Sequence, residues 1–455
     1  MNMPTISASS TIKKYAQHAP RYTSYPTALK FDTVAGDVLE TASKYCGSDA
    51  LSLYIHIPFC QTLCYYCGCN KIVTRHNHKA DDYLAYLAKE MEIKRSLYDG
   101  KEIVSIHLGG GSPSFLNSEQ HKQLMHLIKT HFVVLPEAEI SIELDPRNVT
   151  TDYLADLRKL GYNRVSFGVQ DINLDVQNTI NRVQSTAHIA NLVFEAKSLG
   201  YTSVNLDLIY GLPKQTLSTF NTTLLAVKAM YPDRISLFSY AHLPERFAAQ
   251  RKIPQEFLPS SEEKAALHQH AVESLCKTGF VMIGLDHFAK PDDALAKAKS
   301  NNVLHRNFQG YTTLKDCDLL GLGVSAISTI GNAYGQNPKE LKNYYAKIDN
   351  NTSLIEKGVT LTPDDQIRRD VIMSLMCNLY LDKTAIEDKY GIVFDDYFRD
   401  ELNALTPLQQ DGLIKLNAKN ISVPSQARIY IRAICARFDA YLNHEKQISR
   451  YSNAI

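Results

Sequence analysis

From Leu51 to Tyr240 the chain alternates strand and helix six times, and this rhythm leaves few folds open to it. Candidate strands are Leu51–Ile57, Ile103–Leu108, Glu139–Leu144, Arg164–Val169, Ser203–Ile209 and Arg234–Tyr240. Helical patterns lie between them, marked by Leu84, Leu87 and Met91, by Leu124, Leu127 and Ile128, and by Leu154 and Leu157. A further one runs from Ala187 to Gly200, and another carries Leu224, Leu225 and Val227. Gly161 and Gly200 stand where a left-handed C-terminal helix cap belongs.

Parallel strands covered by helices are normally apolar on both faces. Several of these alternate instead: Leu51, Leu53 and Ile55 against Ser52, Tyr54 and His56; Ile140 and Ile142 against Ser141 and Glu143; Val165 and Phe167 against Ser166, Gly168 and Gln170; Val204 and Leu206 against Asn205 and Asp207. One face packs under helices and the other lines something polar. The pattern predicts an incomplete, TIM-like (β/α)6 barrel within the α/β class, short of the eight strands of a full barrel.

Active sites of such barrels lie at the C-terminal ends of the strands. The first strand runs into IHIPFCQTLCYYCGCNK, where Cys60, Cys64 and Cys67 are spaced C-x3-C-x2-C and Cys69 follows. With 9 cysteines in 455 residues, chance gives this spacing with a probability of about 0.004. Thiolates suit iron–sulfur clusters, zinc or copper(I). A cubic four-iron cluster takes four ligands, so three close thiolates leave one iron open to a small molecule. The rival is structural zinc, completed by Cys69, His56, His76 or His78, although no second closely spaced cysteine pair exists. A disulfide framework does not suit a long chain this poor in cysteine. The other polar features fall at the same edge: Gly109-Gly110-Gly111-Ser112 after strand two, then Glu143, Gln170, Asp207 and Ala241-His242. Glycine lets backbone approach a ligand closely.

A formal net charge of +1 argues against a dominant nucleic-acid or membrane-surface role. No apolar run approaches the ~20 residues that span a bilayer, and MNMPTISASSTIKKYAQ has no apolar h-region. The expected setting is the reducing cytoplasm. The organisation expected is an N-terminal arm over residues 1–50, the barrel over 51–290, an extended wrap over 291–359 and a mainly helical domain over 360–455. In that last part Ile367, Val371, Leu375 and Met376 form a stripe, and a hairpin at Gly412–Val423 precedes Ile429, Ile431 and Ile434. Helices followed by a hairpin are winged-helix-like, but 12 Lys and Arg against 13 Asp and Glu lack the basic surplus of nucleic-acid binding. A cover over the substrate mouth fits better. PRYTSYPTA (Pro20–Ala28) is either a packed arm or a lid that offers Arg21 to an anionic substrate.

The cysteine spacing after a first barrel strand, Tyr66 just before the last cysteine and the glycine-rich turn after strand two resemble the radical S-adenosylmethionine (SAM) superfamily. Within it, CGCNK (Cys67–Lys71), PRYTSYPTA, HLGGGSPS (His107–Ser114), NLDLIYGLPKQT (Asn205–Thr216), YAHLP (Tyr240–Pro244), HRNFQGYTT (His305–Thr313) and GLGVSAIS (Gly321–Ser328) resemble the oxygen-independent coproporphyrinogen III oxidases. The departures are small: Leu108 stands where tryptophan is familiar, Ser112 for threonine and Tyr66 for phenylalanine. Haem-binding chaperones of similar sequence generally lack both the GCNK extension and the PRYTSYP arm.

The resemblance implies a [4Fe-4S] cluster on Cys60, Cys64 and Cys67, with SAM on the open iron. It implies first-SAM contacts from Tyr54, Gly110, Glu143 and Ile327. A second SAM would meet Tyr66, Gly111, Ser112, Gln170, Arg182, Asp207 and Ala241. The implied reaction is the conversion of two propionates of coproporphyrinogen III to vinyls, giving protoporphyrinogen IX. A low-potential donor of flavodoxin or ferredoxin type would supply electrons to a monomeric, cytoplasmic enzyme. Arg21, Lys71, Arg246 and Arg306 are candidate cations for the propionates. Cys69, outside the ligand spacing, is either a candidate catalytic residue on the substrate side or a small packing residue.

Overall fold

In the computed structural model, residues 9–15, 18–46, 48–315, 317–442 and 451 are described. Residues 1–8, part of the stretch read above as lacking an h-region, lie outside them. The barrel strands are β1 (Ala50–Ile57), β2 (Glu102–Gly110), β3 (Val133–Leu144), β4 (Arg164–Gln170), β5 (Ser203–Tyr210) and β6 (Arg234–Ser239). They pair in parallel in chain order, as right-handed βαβ crossovers demand. The covering helices are α1 (Lys79–Ile93), α2 (Ser118–His131), α3 (Thr151–Leu160), α4 (Thr186–Ser198) and α5 (Leu217–Ala229). Gly161 ends α3 at φ 111°, and Gly200 follows α4 at φ 77°. The strand ends differ slightly from the pattern: β3 begins earlier, at Val133, and β6 stops at Ser239. Leu225 is 54% exposed, because the inward face of that helix is Phe220, Thr223, Leu224 and Val227.

Leu51, Leu53 and Ile55 are fully buried and share one core with Leu84, Leu87 and Met91 of α1. Each such side chain contributes about 1.5–3 kcal/mol relative to exposure. The opposite strand faces form a hydrogen-bonded ladder inside the barrel. Ser52 Oγ lies 2.6 Å from Ser105 Oγ, His107 Nδ1 2.7 Å from Ser141 Oγ, and Ser166 donates to Asp207 at 2.9 Å. Asn205 Nδ2 donates to Ser236 Oγ at 3.0 Å. The period-2 alternation thus makes a polar lumen in which these groups pair strand to strand, while Arg164 Nη1 and Arg182 Nε have no partner.

The sheet continues beyond the barrel on both sides. Helix α6 (Ser261–Lys277) leads to β7 (Val281–Ile283) and β8 (His287–Ala289), which extend the β6 edge. A separate hairpin of β9 (His305–Asn307) and β10 (Gly310–Thr312) lines the lumen and supplies wall that the open barrel lacks. Then β11 (Asp318–Leu322) pairs in parallel with β1. Antiparallel β12 (Ile327–Ile330), β13 (Ala333–Gln336) and β14 (Lys357–Thr360) complete twelve strands in the order β14-β13-β12-β11-β1-β2-β3-β4-β5-β6-β8-β7.

Beyond them, α7 (Pro363–Asn378) buries Ile367, Val371, Leu375 and Met376 in a second core. That core also holds Ile421 of a three-stranded sheet, made of β15 (Tyr380–Asp382), β16 (Lys415–Leu416) and β17 (Asn420–Ser422). Tyr15, Tyr22 and Tyr25 of the N-terminal arm are buried in the same core. The Tyr22 hydroxyl donates to Asp439 at 3.0 Å, and Tyr25 Oη accepts from the Ala440 N–H at 3.1 Å. Between these anchors, Arg21 donates to the Ser239 carbonyl at 2.7 Å, so the arm reaches the C-terminal end of β6. Among the described residues no helix is long and apolar enough to cross a membrane.

Candidate functional site

A cavity of about 470 Å³ occupies the lumen, within the usual range for small-molecule sites. Its lining includes Cys60, Cys64, Cys67 and Cys69, then Tyr66, Gly110, Gly111, Ser112, Glu143, Gln170, Arg182 and Asp207. Three residues singled out above do not line it. Tyr54 lies behind the wall, stacked on His107 with ring centroids 6.0 Å apart. The Ala241 carbonyl accepts from Gln250 at 3.1 Å, and Gln250 also donates to the Tyr66 carbonyl at 2.9 Å. Ile327 starts β12 and packs against the small core of Phe31, Tyr334 and Leu361.

The cysteine loop is pinned at its base. Phe59 and Cys60 pair in parallel with Ile72 and Val73, and Asn70 Nδ2 donates to the Lys339 carbonyl at 3.0 Å. Cys60, Cys64, Cys67 and Cys69 are all free thiols. Cys67 is held down at about 6 by the thiol hydrogen bond from Cys69 and by Lys71, against the effect of burial. Cys69, exposed at the cavity, is pushed up chiefly by its hydrogen bond with Cys67. Burial and the neighbouring Cys67 and Cys64 push Cys60 up to about 12. One thiol is therefore primed as a thiolate, and the fourth cysteine is biased to remain protonated. Among the described residues, no three His, Cys, Asp or Glu side chains gather around a point that could hold a single metal ion.

The glycine run forms the next piece of wall. A Cβ on Gly110, whose φ is 110°, would lie 2.4 Å from the His56 ring; one on Gly111 would lie 2.6 Å from the Pro58 carbonyl. No side chain can replace these glycines without moving the cysteine loop or His56. His56 is itself fixed, with Nδ1 3.1 Å from the Tyr54 hydroxyl and Nε2 3.0 Å from the Asn70 carbonyl oxygen.

Glu143 comes from the end of β3, and its Oε1 is 3.1 Å from His107 Nε2. Its side chain is 46% exposed because the cavity, rather than protein, covers it. Enclosure raises its pKa, but His107 and the Gly110 N–H outweigh that and leave it below the usual carboxylate value. Asp207 moves the other way: burial and the Glu143 charge raise it, against hydrogen bonds from Ser166 and Ser236. Two carboxyls of unlike protonation tendency thus share one lumen. Gln170 sits at a β-bulge with φ 64°, a conformation that turns its side chain out of strand register. Strain of this kind costs about 1–3 kcal/mol and collects at functional sites.

The sequence reading missed a group beside Cys64. Asp145 Oδ2 accepts from Arg147 Nη2 at 2.6 Å and from Arg182 Nη1 at 3.2 Å. The same two guanidiniums lie 3.5 Å and 3.4 Å from Cys64 Sγ. His107 stands above only at the head of the HLGGGSPS motif, with no role given to it. The period-2 spacing of Glu143 and Asp145 was a signal for the former pair, since alternate residues share a face. Of the candidate propionate cations, Lys71 lines the lumen. Arg306 lines a second cavity of about 690 Å³ that adjoins the first at Asn307, Thr312 and Leu314. Arg246 lies over the Phe247 ring, 5.3 Å from its centroid.

Known proteins place this geometry. Residues 54–227 match the model of the Radical SAM superfamily, and residues 361–430 match that of the HemN C-terminal domain. The chain is 50% identical over 446 residues, 98% of its length and 97% of the other's, to the oxygen-independent coproporphyrinogen III oxidase of Salmonella typhimurium. Over the same extent it is 50% identical to that of Escherichia coli K12. The Helicobacter pylori (strain 26695) protein of that name is 38% identical over 445 residues, 96% of this chain and 97% of the other. The solved structure of the Escherichia coli coproporphyrinogen III oxidase (HemN), described as a radical SAM enzyme, superposes with a TM-score of 0.90 at 49% identity, covering 95% of this chain and 98% of that one. The chain belongs to the oxygen-independent coproporphyrinogen III oxidase family of the radical SAM superfamily.

Proposed function

We propose that this enzyme oxidatively decarboxylates two propionate side chains of coproporphyrinogen III to vinyls, yielding protoporphyrinogen IX in an oxygen-independent step of haem biosynthesis. The observation that carries this reading is a single polar lumen into which three free thiols, a bare glycine edge and the carboxyls Glu143 and Asp207 all face. In this reading Cys60, Cys64 and Cys67 hold a [4Fe-4S] cluster and leave one iron for SAM. When bound, the cluster and SAM supply a 5′-deoxyadenosyl radical able to take hydrogen from a propionate side chain.

The protein's own part is binding, orientation and exclusion of water. Glu143, kept ionised by His107, accepts hydrogen bonds from ammonium or hydroxyl groups of the cofactor. Gly110 and Gly111 let the backbone approach it, and Tyr66 offers an aromatic edge beside the cysteines. Arg182, Gln170, Ser112 and Asp207 form the facing wall available to a second SAM. Tyr54, Ala241 and Ile327 stand behind this lining and act by holding His56, Gln250 and the β12 edge. Cys69 lines the cavity outside the three-cysteine spacing and is placed to act toward substrate. Lys71 and Arg306 are the cations best placed for propionates, because each lines a cavity.

We assign residues 1–50 to an arm, 51–290 to the barrel, 291–359 to a wrap and 360–455 to a C-terminal cover. The electron donor is a flavodoxin- or ferredoxin-type protein, and the enzyme is a cytoplasmic monomer; the free thiols support a reducing compartment. The test is anaerobic incubation with coproporphyrinogen III, SAM and a low-potential reductant. Formation of protoporphyrinogen IX is expected; tight haem binding without conversion would overturn the reading.

A further inference from the structure

Cys64 is treated unlike the other two cysteines of the spacing. Its Sγ is met by two guanidiniums from different parts of the chain, Arg147 Nη2 at 3.5 Å and Arg182 Nη1 at 3.4 Å. Arg147 follows β3, and Arg182 follows β4, 118 residues beyond Cys64. Asp145 holds both in place: Arg147 meets its carboxylate through Nε at 3.0 Å and Nη2 at 2.6 Å, and Arg182 through Nη1 at 3.2 Å. Arg182 is fixed from its other side by the Gly168 carbonyl at 2.7 Å. The side chains of Arg147, Asp145 and Arg182 are 16%, 11% and 7% exposed, so water screens them weakly. Two cations against one anion leave a net positive charge at one sulfur.

We propose that Arg147, held by Asp145, is a positioning residue that sets the reduction potential of the cluster through Cys64. The inference rests on the reading of Cys64 as a cluster ligand. Reduction adds one electron to the cluster, from an external donor, with no bond made or broken in the protein. A neighbouring cation and N–H···S hydrogen bonds stabilise the added negative charge, and both are recognised determinants of cluster potential. Arg147 thereby favours the reduced cluster, and Asp145 moderates the effect while fixing its geometry.

Removing either member of the pair breaks the same ion pair, but the electrostatic consequences have opposite signs. The experiment is an electron-paramagnetic-resonance titration with dithionite of anaerobically reconstituted enzyme, comparing Arg147→Gln and Asp145→Asn with wild type. At the wild-type midpoint, Arg147→Gln should lower the ratio of reduced to oxidised cluster about threefold or more, which is about 28 mV at 59 mV per tenfold for one electron. Asp145→Asn should raise that ratio by a similar factor. Shifts of the same sign in both variants, or none in either, would overturn the inference. Should Arg147→Gln take up no iron, Arg147→Lys replaces it: its charge sits farther from the sulfur, so the ratio must still fall, and an unchanged or raised ratio overturns the proposal. A wild-type protein that takes up no cluster sinks the site reading beneath it as well, whereas iron-loaded variants with unmoved potentials sink this inference alone.

Discussion

Replacing Glu90 by glutamine isolates a buried charge pair that braces the cysteine loop from behind. Glu90 in the last turn of α1 and Lys94, its C-cap, have side chains 0% and 4% exposed, with Nζ 2.8 Å from Oε1. Glu90 also accepts from Asn337 Nδ2, the Tyr344 hydroxyl and the Gly323 N–H, each at 2.6 Å. Lys94 donates to the Gly321 carbonyl at 2.8 Å and to Asn337 Oδ1 at 3.0 Å. Two residues beyond Asn337, the Lys339 carbonyl receives Asn70 of the cysteine loop. Glutamine keeps the shape but strands the ammonium, and breaking a buried pair in this way costs about 3–5 kcal/mol. At about 2.1 cal/mol/K per residue over a cooperative unit of roughly 300 residues, that converts to a Tm lower by about 5–8 °C. Scanning calorimetry of the cluster-free protein reads the shift directly. The double variant Glu90→Gln/Lys94→Met should recover part of the loss, since it removes the stranded charge. A Tm for Glu90→Gln within 2 °C of wild type, or a double variant less stable than the single, would refute the reasoning.

Other consequences follow at the site. Alanine at Cys60, Cys64 or Cys67 should abolish the brown chromophore and turnover, while Cys69→Ser keeps the iron and loses activity; iron and sulfide analysis after anaerobic reconstitution decides both. Glu143→Gln removes a charge-assisted acceptor worth about 1.5–3 kcal/mol, so SAM should bind about 10- to 100-fold more weakly by calorimetry at unchanged iron content. Buried His56, His121 and His268 are held near 4, 3 and 4, mainly by burial, below the ordinary 6.5. The unfolded chain therefore binds more protons below pH 6.5, and stability present above that pH is lost as pH falls toward 4, by about 1.4 kcal/mol per unit per histidine. Unfolding at pH 5.5 without net proton uptake, measured in buffers of different ionisation enthalpy, would exclude this.

What could be read from the chain was whatever is encoded over short distances. The period-2 pattern from Ser52 to Asp207 announced a polar lumen because alternate residues of one strand face one way whatever the strand order. Cys60, Cys64 and Cys67 were legible because all three ligands lie within one loop. Asp145 and Arg147 were not, because their meaning depends on Cys64, 83 residues away from Arg147, and on β3 lying where it does in the sheet. The same holds for the antiparallel strands β12–β14, which are short and join the sheet through β11, itself paired with β1. Their formation is a tertiary effect that local propensity does not report. Ile327 shows the same limit: its motif resemblance is local, but its packing against Phe31 and Tyr334 is set by the arm.

The lumen ladder also bears on when the cofactors load. A metal site whose ligands have no other partners couples binding to folding, as in small zinc domains. Here four pairs of inward polar groups already satisfy one another across strands, Ser52–Ser105, His107–Ser141, Ser166–Asp207 and Asn205–Ser236. The two large cores, one under the barrel helices and one uniting α7 with the arm, need no cofactor to be buried. The barrel should therefore fold first and receive cluster and SAM afterwards. Cluster-free protein is expected to melt cooperatively, and reconstitution should raise its Tm in a manner that depends on cofactor concentration, as binding to the native state alone requires. A cluster-free chain that melts without a cooperative transition would show instead that the thiolate ligands, and not the hydrogen-bonded ladder, hold the lumen open.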